Sequence, residues 1–532
     1  MNFLQLATSS SFALGALCAT ILVIVYFLIT SFASQSTSTL PFPEAHSEPG
    51  NLTATIEESM NKWPDEPFVV RMGPSPWVIL PHSLITEIKS QPEEKVSFKK
   101  MSYDRFLGQY TGLGQTKSPA AINAIKFDLT RNVAKILQDL QDEAEHAFDS
   151  NIGHLPTWTE MGVYPTMIQI VAACSGRAFV GLPLCRDDEW RNATINFTYD
   201  TIGSVHAMKT YHKAFWPILA RCLPEMRKLR SYREFAYQKL RPQIETIIAH
   251  QRTQRMKKGS LSEKDQEYEA IVNNYNLLHW TIGEHKDLDN IDPAEVGHMQ
   301  MTAAFAALSP IGMSMSYAIF DLAAHPEVAE ELRDEIEAVI AEEKPPNGWL
   351  MKSSLPKLRK LDSFMKESQR LNPPFLTAVT RIVTAPDGLA LSTGHVIPHG
   401  TTIAFGNPYL AKTKIKYSPL TDEDQPPLEE FRPFRYSDLR KIPGQENGHQ
   451  FVLADANSPS FGCGRHACPG RFFASNEIKV LLVQLLQRYD LALGPNGESA
   501  RDGFEKPKRL EMGFTYIADP KAKVYFRDRK TG

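Results

Sequence analysis

The sequence predicts a mainly α-helical protein with a smaller β part, preceded by a single N-terminal transmembrane helix. Three observations predict this class: long segments with apolar residues at helical spacing, one almost wholly apolar segment in the second half of the chain, and only short strand-like pieces. With 532 residues, of which 42% are hydrophobic, the chain can bury a large core.

The N-terminal stretch predicts a membrane anchor. No charged side chain precedes Glu44, and Phe12 to Ala33 is almost continuously Ala, Leu, Ile, Val and Phe. This length suits one helix across a hydrocarbon core of about 30 Å. A cleaved signal peptide is the alternative, but its apolar run usually spans about 7–15 residues and follows a basic residue. We therefore expect an anchor over 1–33, a proline- and serine-rich linker over 34–62 and a globular body over 63–532.

The globular body begins with strand-like pieces and continues mostly as helices. The apolar stretches 68–70 and 77–80 have the composition of one or two strands. Helical spacing of apolar residues then predicts helices over 122–148, 164–180, 208–223 and 232–257. Further along the chain, the same reasoning predicts helices over 332–340, 361–371 and from just after 468 to 489, with strands at 378–383 and 401–405.

The segment 293–323 is the most informative helix. It carries no Asp, Glu, Lys or Arg between Glu295 and Asp321 and is apolar nearly all round, which is typical of a helix inside a large core. A second membrane span is the alternative. Polar residues such as Gln300 and Ser309 make a span costly, so we expect a core helix.

Charge and cysteine content exclude two classes of protein. The net charge of −3, without a long run of one sign, argues against a nucleic-acid-binding protein. The six cysteines are spread over the whole chain, which is not the pattern of a disulfide scaffold. Only Cys463 and Cys468 lie close together in the sequence.

The segment Phe461-Gly-Cys-Gly-Arg-His-Ala-Cys-Pro-Gly470 carries the strongest chemical signal. Its glycines favour a tight loop that lets the backbone approach a ligand. Cys468 then lies at the start of a helix, where free N–H groups and a partial positive charge stabilise a thiolate. A thiolate held in this way is a good axial ligand for haem iron.

Three other interpretations of this segment remain open on the residues alone. Cys463, His466 and Cys468 are possible zinc ligands, although a structural site needs four and no fourth lies nearby. The stretch 462–467 matches the dinucleotide pattern G-x-G-x-x-A, but Ser458-Pro-Ser460 separates it from any strand. The segment could also be a simple loop and helix cap.

The motifs together resemble the cytochrome P-450 family. The family's haem loop, its E-x-x-R pair and its F-x-P-x-R element occur here in the family's order. The matching residues are Phe461, Gly464, His466, Cys468 and Gly470 for the loop, Glu367 and Arg370 for the pair, and Phe431, Pro433 and Arg435 for the last element. The amino-acid sequence of the loop is similar to that of filamentous-fungal enzymes that tailor terpenoids, indole-diterpenes and polyketides.

The resemblance implies a role for each matched residue. Cys468 would be the axial thiolate of a haem, with Phe461, Gly464 and Gly470 shaping the loop around it. His466 would meet a haem propionate. The buried charge network beneath the haem would consist of Glu367, Arg370 and Arg435. The body would then be a catalytic domain of the family's fold.

The distal helix departs from the family's pattern. Where the family carries an acid followed by threonine, this chain has Ser309 and Pro310. Proline removes a helical N–H and is expected to kink the helix over the haem. Two hypotheses follow. Either a water network with Ser309, or the substrate's own hydroxyl, supplies protons to an oxygenase, or the haem performs rearrangement, dehydration, coupling or peroxide-driven chemistry. The family's W-x-x-x-R is also missing, with Lys126 and Arg131 as the nearest candidates.

The resemblance also predicts a pocket and partners. The pocket is expected to be apolar and to accept a lipophilic substrate, with Phe305, Ala306, Leu308, Ser309, Phe375, Leu376, Thr377 and Phe514 as its lining. Because no flavin or nicotinamide motif occurs elsewhere, electrons are expected from a separate NADPH-dependent, membrane-bound reductase. That reductase would dock near Arg465, Arg471 and Lys479. The expected location is the endoplasmic reticulum membrane, with the body facing the cytosol. A non-catalytic haem or zinc protein is the remaining rival.

Overall fold

The protein is described by a computed structural model that covers residues 15, 40–47, 50–72, 75–114, 119–256, 276–407, 427–513 and 515–529. The expected anchor lies outside the described residues except for Gly15, and so does Phe514. In chain order the α-helices are α1 (Leu52–Lys62), α2 (Ile85–Ser90), α3 (Phe98–Arg105), α4 (Gly108–Thr111), α5 (Ala120–Asn123), α6 (Leu129–Arg131), α7 (Val133–Asn151), α8 (Val163–Phe179), α9 (Asp188–Lys209), α10 (Trp216–Cys222), α11 (Pro224–Met256), α12 (Leu277–Gly283), α13 (Pro293–Ala324), α14 (Pro326–Glu343), α15 (Arg359–Leu371), α16 (Arg435–Leu439) and α17 (Arg471–Arg488).

The β part is small and mixed. The strands are β1 (Glu44–Ala45), β2 (Phe68–Met72), β3 (Ser75–Ile79), β4 (Val96–Ser97), β5 (Thr159–Gly162), β6 (Thr377–Val383), β7 (Leu389–Ala390), β8 (Val396–Ile397), β9 (Thr402–Gly406), β10 (Tyr489–Ala492), β11 (Arg509–Met512), β12 (Thr515–Ala518) and β13 (Lys523–Asp528). Within the described ranges, one sheet has the order β1-β2-β3-β9-β6-β4 and a second β10-β13-β5, while β7–β8 and β11–β12 form pairs. The mainly helical class with a smaller β part is confirmed.

Side chains alternate across the six-stranded sheet and pack on both of its faces. Val69, Val78 and Ile403 join one apolar cluster, whereas their neighbours Val70 and Ile79 join another. This alternation follows from the period of two in a strand. The sheet is therefore covered on both sides and holds the start of β6 against the helical body.

The helical body is built around α13. Asp292 caps this helix by accepting a hydrogen bond from the Ala294 N–H at 2.9 Å, and Pro293 occupies its first turn. α13 packs against α8, α9, α11 and α15. It is long and apolar enough to cross a membrane, but 67% of its most apolar window is buried inside the protein. The core-helix prediction is therefore confirmed, and the helix continues past Pro310 without a break.

Two predicted helices are divided in the structure. The segment 122–148 contains a π-helical turn at Ala124–Asp128, and Asn132 separates α6 from α7. The segment 208–223 is wrong as one helix, because α9 ends at Lys209 and α10 begins at Trp216. Pro217 in the first turn of α10 favours a helix start there and opposes continuation from α9.

Candidate active site

The cysteine loop is closed by its own backbone. The Cys468 N–H donates to the Phe461 carbonyl oxygen at 2.7 Å, and α17 begins three residues after Cys468. Gly464 has a φ of +67°, and a Cβ on it would lie 2.7 Å from the Lys89 carbonyl oxygen. Glycine is therefore required at 464, both for the backbone conformation and for the close approach of α2.

The surroundings of Cys468 act on its thiol in opposite directions. Burial raises the pKa of the Cys468 thiol, while the N–H groups of Gly470 and Arg471 and the Arg471 charge lower it. Arg471 also donates from Nη1 to the Cys468 carbonyl oxygen at 2.9 Å. The donor groups expected from the helix start are thus present. They suit an anionic sulfur that a metal cation would also stabilise.

The alternatives for this loop gain no support. Cys463 is 1% exposed and belongs to the apolar cluster at the sheet. Across the described ranges there is no group of three His, Cys, Asp or Glu side chains that could hold a metal ion. A short 3₁₀ turn at Pro459–Phe461, and not a strand, precedes the glycines. The loop therefore matches neither a zinc site nor a dinucleotide-binding turn.

His466 lies in a charged cluster near Arg381, a residue that the sequence argument missed. Its Nε2 is 2.7 Å from Glu93 Oε2, and its ring is 5.5 Å from that of Phe98. Arg381 packs over the ring of Phe98, with its guanidinium carbon 5.1 Å from the ring centroid. Burial lowers the pKa of Arg381 to about 10. In the sequence, Arg381 is the one charged residue inside the predicted strand 378–383, and this could have identified it. In the structure all seven residues of β6 are buried.

Glu367, Arg370 and Arg435 form one buried ion network. Arg370 donates from Nε and Nη2 to the two carboxylate oxygens of Glu367, each at 2.8 Å. Arg435 donates from Nε to the same oxygens at 3.1 and 3.2 Å. The Glu367 and Arg435 side chains are 0% and 1% exposed. The Arg432 N–H adds a further bond to Glu367 at 3.0 Å, so both carboxylate oxygens are fully used.

One face of α13 is accessible although the helix is otherwise buried. Ala306 is exposed, and the residues one turn away on the same face, including Thr302, Ser309 and Pro310, are only partly buried. Because Pro310 has no N–H, the Ala306 carbonyl oxygen lacks its usual donor four residues along the helix. This face therefore presents a serine hydroxyl close to a carbonyl oxygen that Pro310 cannot serve as a donor.

The predicted pocket residues are divided between the accessible face and the packed cores. Phe305 and Ala306 lie on the accessible face, and Phe375 is 38% exposed. Leu308 is 1% exposed and lines a small cavity together with Ala172 and Phe179 of α8.

The next two predicted residues follow Phe375 into the sheet. Leu376 is fully buried in the sheet cluster beside Ile56. Thr377 is buried and lies 3.3 Å from the Thr380 hydroxyl. Phe305, Ala306 and Phe375 therefore have accessible surface, whereas Leu308, Leu376 and Thr377 are packed among neighbouring side chains. The pocket lining as a whole stays a prediction.

The basic residues around the cysteine loop also differ in exposure. Arg465 is exposed, while Lys479 is buried and paired with Asp362 at 2.6 Å, so Lys479 is removed from the expected docking surface. Lys126 and Arg131 are exposed beside the loop, since a Cβ on Gly470 would lie 3.5 Å from Ile125. Both cations lie over the Phe127 ring, at 4.9 and 5.6 Å.

The comparisons with known proteins agree on one family. The family model described as Cytochrome P450 matches residues 128–510. The chain is 38% identical over 491 residues to cytochrome P450 monooxygenase BOA7 of Botryotinia fuckeliana, covering 90% of this chain and 88% of that one. It is 34% identical to cytochrome P450 monooxygenase ascG of Acremonium egyptiacum, covering 98% and 97%. Among solved structures, the cytochrome P450DA heme domain aligns with a TM-score of 0.64 at 13% identity, covering 92% of this chain and 98% of that one.

Proposed function

Because the chain belongs to the cytochrome P450 family and is a haem-thiolate monooxygenase, we propose that it oxidises a lipophilic intermediate of fungal secondary metabolism, of the terpenoid, indole-diterpene or polyketide class. The observation that carries this proposal is the accessible face of α13, where Phe305 and Ala306 present apolar surface within a buried helix. Phe375 adds an exposed aromatic ring from a second segment. Such a surface suits an apolar substrate more than a polar one.

Three residues are proposed to hold the haem. Cys468 would bind the iron, and Arg381 and His466 would bind the propionates. The fit rests on Arg381, which is buried and makes no ion pair within the described ranges, so its charge suits an added carboxylate. His466 ranks second, because its Nε2 already contacts the Glu93 carboxylate and is less available to a propionate. When bound, the haem would supply the activation of molecular oxygen, and the Cys468 thiolate would increase electron density at the iron.

Proton supply is proposed to depend on the accessible face of α13. The Ser309 hydroxyl can both donate and accept, and the Ala306 carbonyl oxygen, which lacks a donor from Pro310, would hold a water molecule near it. Together they would take the place of the family's acid and threonine. The substrate's own hydroxyl is the other source consistent with this face.

We predict that Ser309→Ala lowers the yield of product per NADPH consumed by about tenfold or more, because a positioned proton donor is lost. Pro310→Thr is expected to change the same yield as well, since its N–H would occupy the Ala306 carbonyl oxygen. Ser316→Ala is the matched control, because this buried hydroxyl donates to the Gly312 carbonyl oxygen at 2.8 Å within the same helix. The measurement is the ratio of product to NADPH and to hydrogen peroxide. Unchanged ratios in both variants would assign proton supply to the substrate.

Oxygen and reductant dependence tests the oxygenase assignment against the alternative chemistries. With NADPH, a fungal reductase and a panel of lipophilic terpenoid and polyketide intermediates, we expect product only when oxygen is present. Isotope-labelled oxygen should appear in that product. Turnover that needs neither reductant nor oxygen would instead support rearrangement, dehydration or peroxide-driven chemistry.

A separate NADPH-dependent reductase is proposed to dock on a basic surface formed by Lys126, Arg131, Arg465 and Arg471. These residues surround the cysteine loop, so electrons would enter on the side of the axial sulfur. Arg471 contacts the Cys468 carbonyl oxygen directly. The surface is only moderately charged, which suits a transient partner guided by long-range attraction.

We predict that Lys126→Glu combined with Arg465→Glu slows reduction by the reductase by about tenfold at low salt, because electrostatic steering is lost. The difference should shrink at high salt through screening. Lys228→Glu on α11 is the matched control, since its side chain is 57% exposed elsewhere on the surface. Chemical reduction by dithionite should be equal in all variants. Equal rates with the reductase would place the docking surface elsewhere.

The membrane anchor at 1–33 is retained as part of the proposal, with the body on the cytosolic side of the endoplasmic reticulum. The apolar run at Phe12–Ala33 supports it. Comparing membrane and soluble fractions for the full chain and for a chain that starts after residue 33 tests the anchor, and protease treatment of sealed microsomes tests the orientation.

A further inference from the structure

Arg105 is a charged residue in an aromatic setting at the end of α3. Its guanidinium carbon lies 6.0 Å from the Trp77 ring centroid and 5.8 Å from that of Phe106. Its Nη2 donates to the Thr515 hydroxyl at 3.5 Å, the outer limit of a hydrogen bond. These contacts use little of the capacity of a group with five N–H donors.

The charge of Arg105 is not neutralised by an acid in the part of the chain that the structure describes. The neighbouring carboxylate, Asp104, is bound to Lys100 at 2.9 Å. By contrast, the guanidinium of Arg177 binds Asp139 at 2.9 Å. Burial lowers the pKa of Arg105, and among the described residues no acid opposes this effect. A desolvated guanidinium without a carboxylate is costly, so a function for it is expected.

Two residues that contact Arg105 also contact pocket candidates. Phe106 packs edge-on against Phe305, with ring centroids 5.4 Å apart, and Phe305 precedes the exposed Ala306. Thr515 pairs through its backbone with Phe375, the exposed pocket candidate before β6. Arg105 therefore borders the surface on which the proposed function places the substrate.

We propose that Arg105 binds a carboxylate group of the substrate, which makes the substrate an apolar acid. This inference rests on the proposed function and specifies its substrate class. The planar guanidinium matches a carboxylate with two parallel hydrogen bonds. A phosphate would require more positive charge, and the nearby Lys209 ammonium is already bound to the Arg105 carbonyl oxygen at 2.8 Å.

Binding at Arg105 would orient the substrate. With its carboxylate held at the end of α3, the apolar part would lie along Phe106, Phe305 and Phe375 toward the accessible face of α13. The position of oxidation would then be set by its distance from the carboxylate. Loss of the anchor should therefore weaken binding and also broaden the range of products.

The test compares each acid with its uncharged methyl ester. Dodecanoate, abietate and their methyl esters are titrated into the haem-loaded full chain at neutral pH, and binding is followed by the shift of the Soret band. We expect at least one acid to bind about tenfold or more tightly than its ester, as a charge-assisted hydrogen bond provides. Arg105→Gln should remove this preference, Arg105→Lys should keep part of it, and Lys100→Gln should leave it unchanged.

Two results would overturn the inference. If neither acid binds more tightly than its ester, Arg105 does not recognise a carboxylate on the substrate. If Arg105→Gln loses haem while Lys100→Gln keeps it, Arg105 holds a propionate of the cofactor instead. Both results leave the monooxygenase assignment intact, because that assignment is judged by oxygen-dependent product formation and not by the ester comparison.

Discussion

Replacing Glu367 with glutamine is expected to prevent the accumulation of stable, haem-loaded protein. The carboxylate accepts bonds from Arg370, Arg435 and the Arg432 backbone, and its side chain is 0% exposed. Glutamine keeps the volume but leaves two guanidinium groups in the interior without an anion. Removing one partner of a buried ion pair costs about 3–5 kcal/mol. A domain of ordinary stability has about 5–15 kcal/mol in total, so most of the margin would be lost.

The matched control for Glu367 is an exposed pair with the same spacing. Asp438 and Lys441 are also three residues apart, at 2.7 Å, but their side chains are 62% and 74% exposed. Asp438→Asn should change stability by no more than about 1 kcal/mol, as is usual for surface pairs. Haem content and denaturant unfolding measure both variants. Unfolding of Glu367→Gln within about 1 kcal/mol of the unaltered chain would show that the network does not hold the proximal side together.

Replacing Cys468 with alanine is expected to abolish NADPH-dependent turnover, because the other cysteine of the loop, Cys463, is buried in the apolar cluster at the sheet and would not replace its thiolate. Cys463→Ala is the matched control, five positions earlier in the same segment and packed in an apolar cluster. That variant loses only a buried sulfur and should retain turnover within a few-fold. Turnover per chain is the measurement, with haem content determined separately. Retained turnover in Cys468→Ala would show that another ligand supports the reaction.

Much of the fold was accessible from local sequence patterns. The core helix α13 follows from the absence of charge between Glu295 and Asp321, and α15 and α17 follow from their apolar spacing. The buried network of Glu367, Arg370 and Arg435 could not be derived from spacing alone, since an i, i+3 pair is usually a surface pair. It became predictable only through the resemblance to a family.

The predicted pocket residues differ in exposure, because the direction of each single side chain decides whether it is covered. Leu308 follows Ala306 by two positions, which places it about 200° around the helix and toward α8. Leu376 follows Phe375 directly but packs in the apolar cluster at the sheet. Lys479 lies well inside α17, where its partner Asp362 is distant in sequence. Periodicity predicts which face of an element is buried but not which neighbour covers it.

The residues that the sequence argument missed are charged groups whose surroundings are formed by residues distant in the sequence. Arg105 and Arg381 look like ordinary surface cations in the sequence, and only the fold shows that each lies against aromatic rings within the protein. The π-helical turn at Ala124–Asp128 was missed for a related reason, since it changes the register of a helix without changing its composition.

The central claim is that Cys468 holds a haem iron as a thiolate. The optical spectrum of the reduced, carbon monoxide-bound full-length protein tests it most directly. We predict a strongly red-shifted Soret band that is present in Cys463→Ala and lost in Cys468→Ala. A colourless protein, or a band at the shorter wavelength of a haem without a thiolate ligand, would contradict the claim.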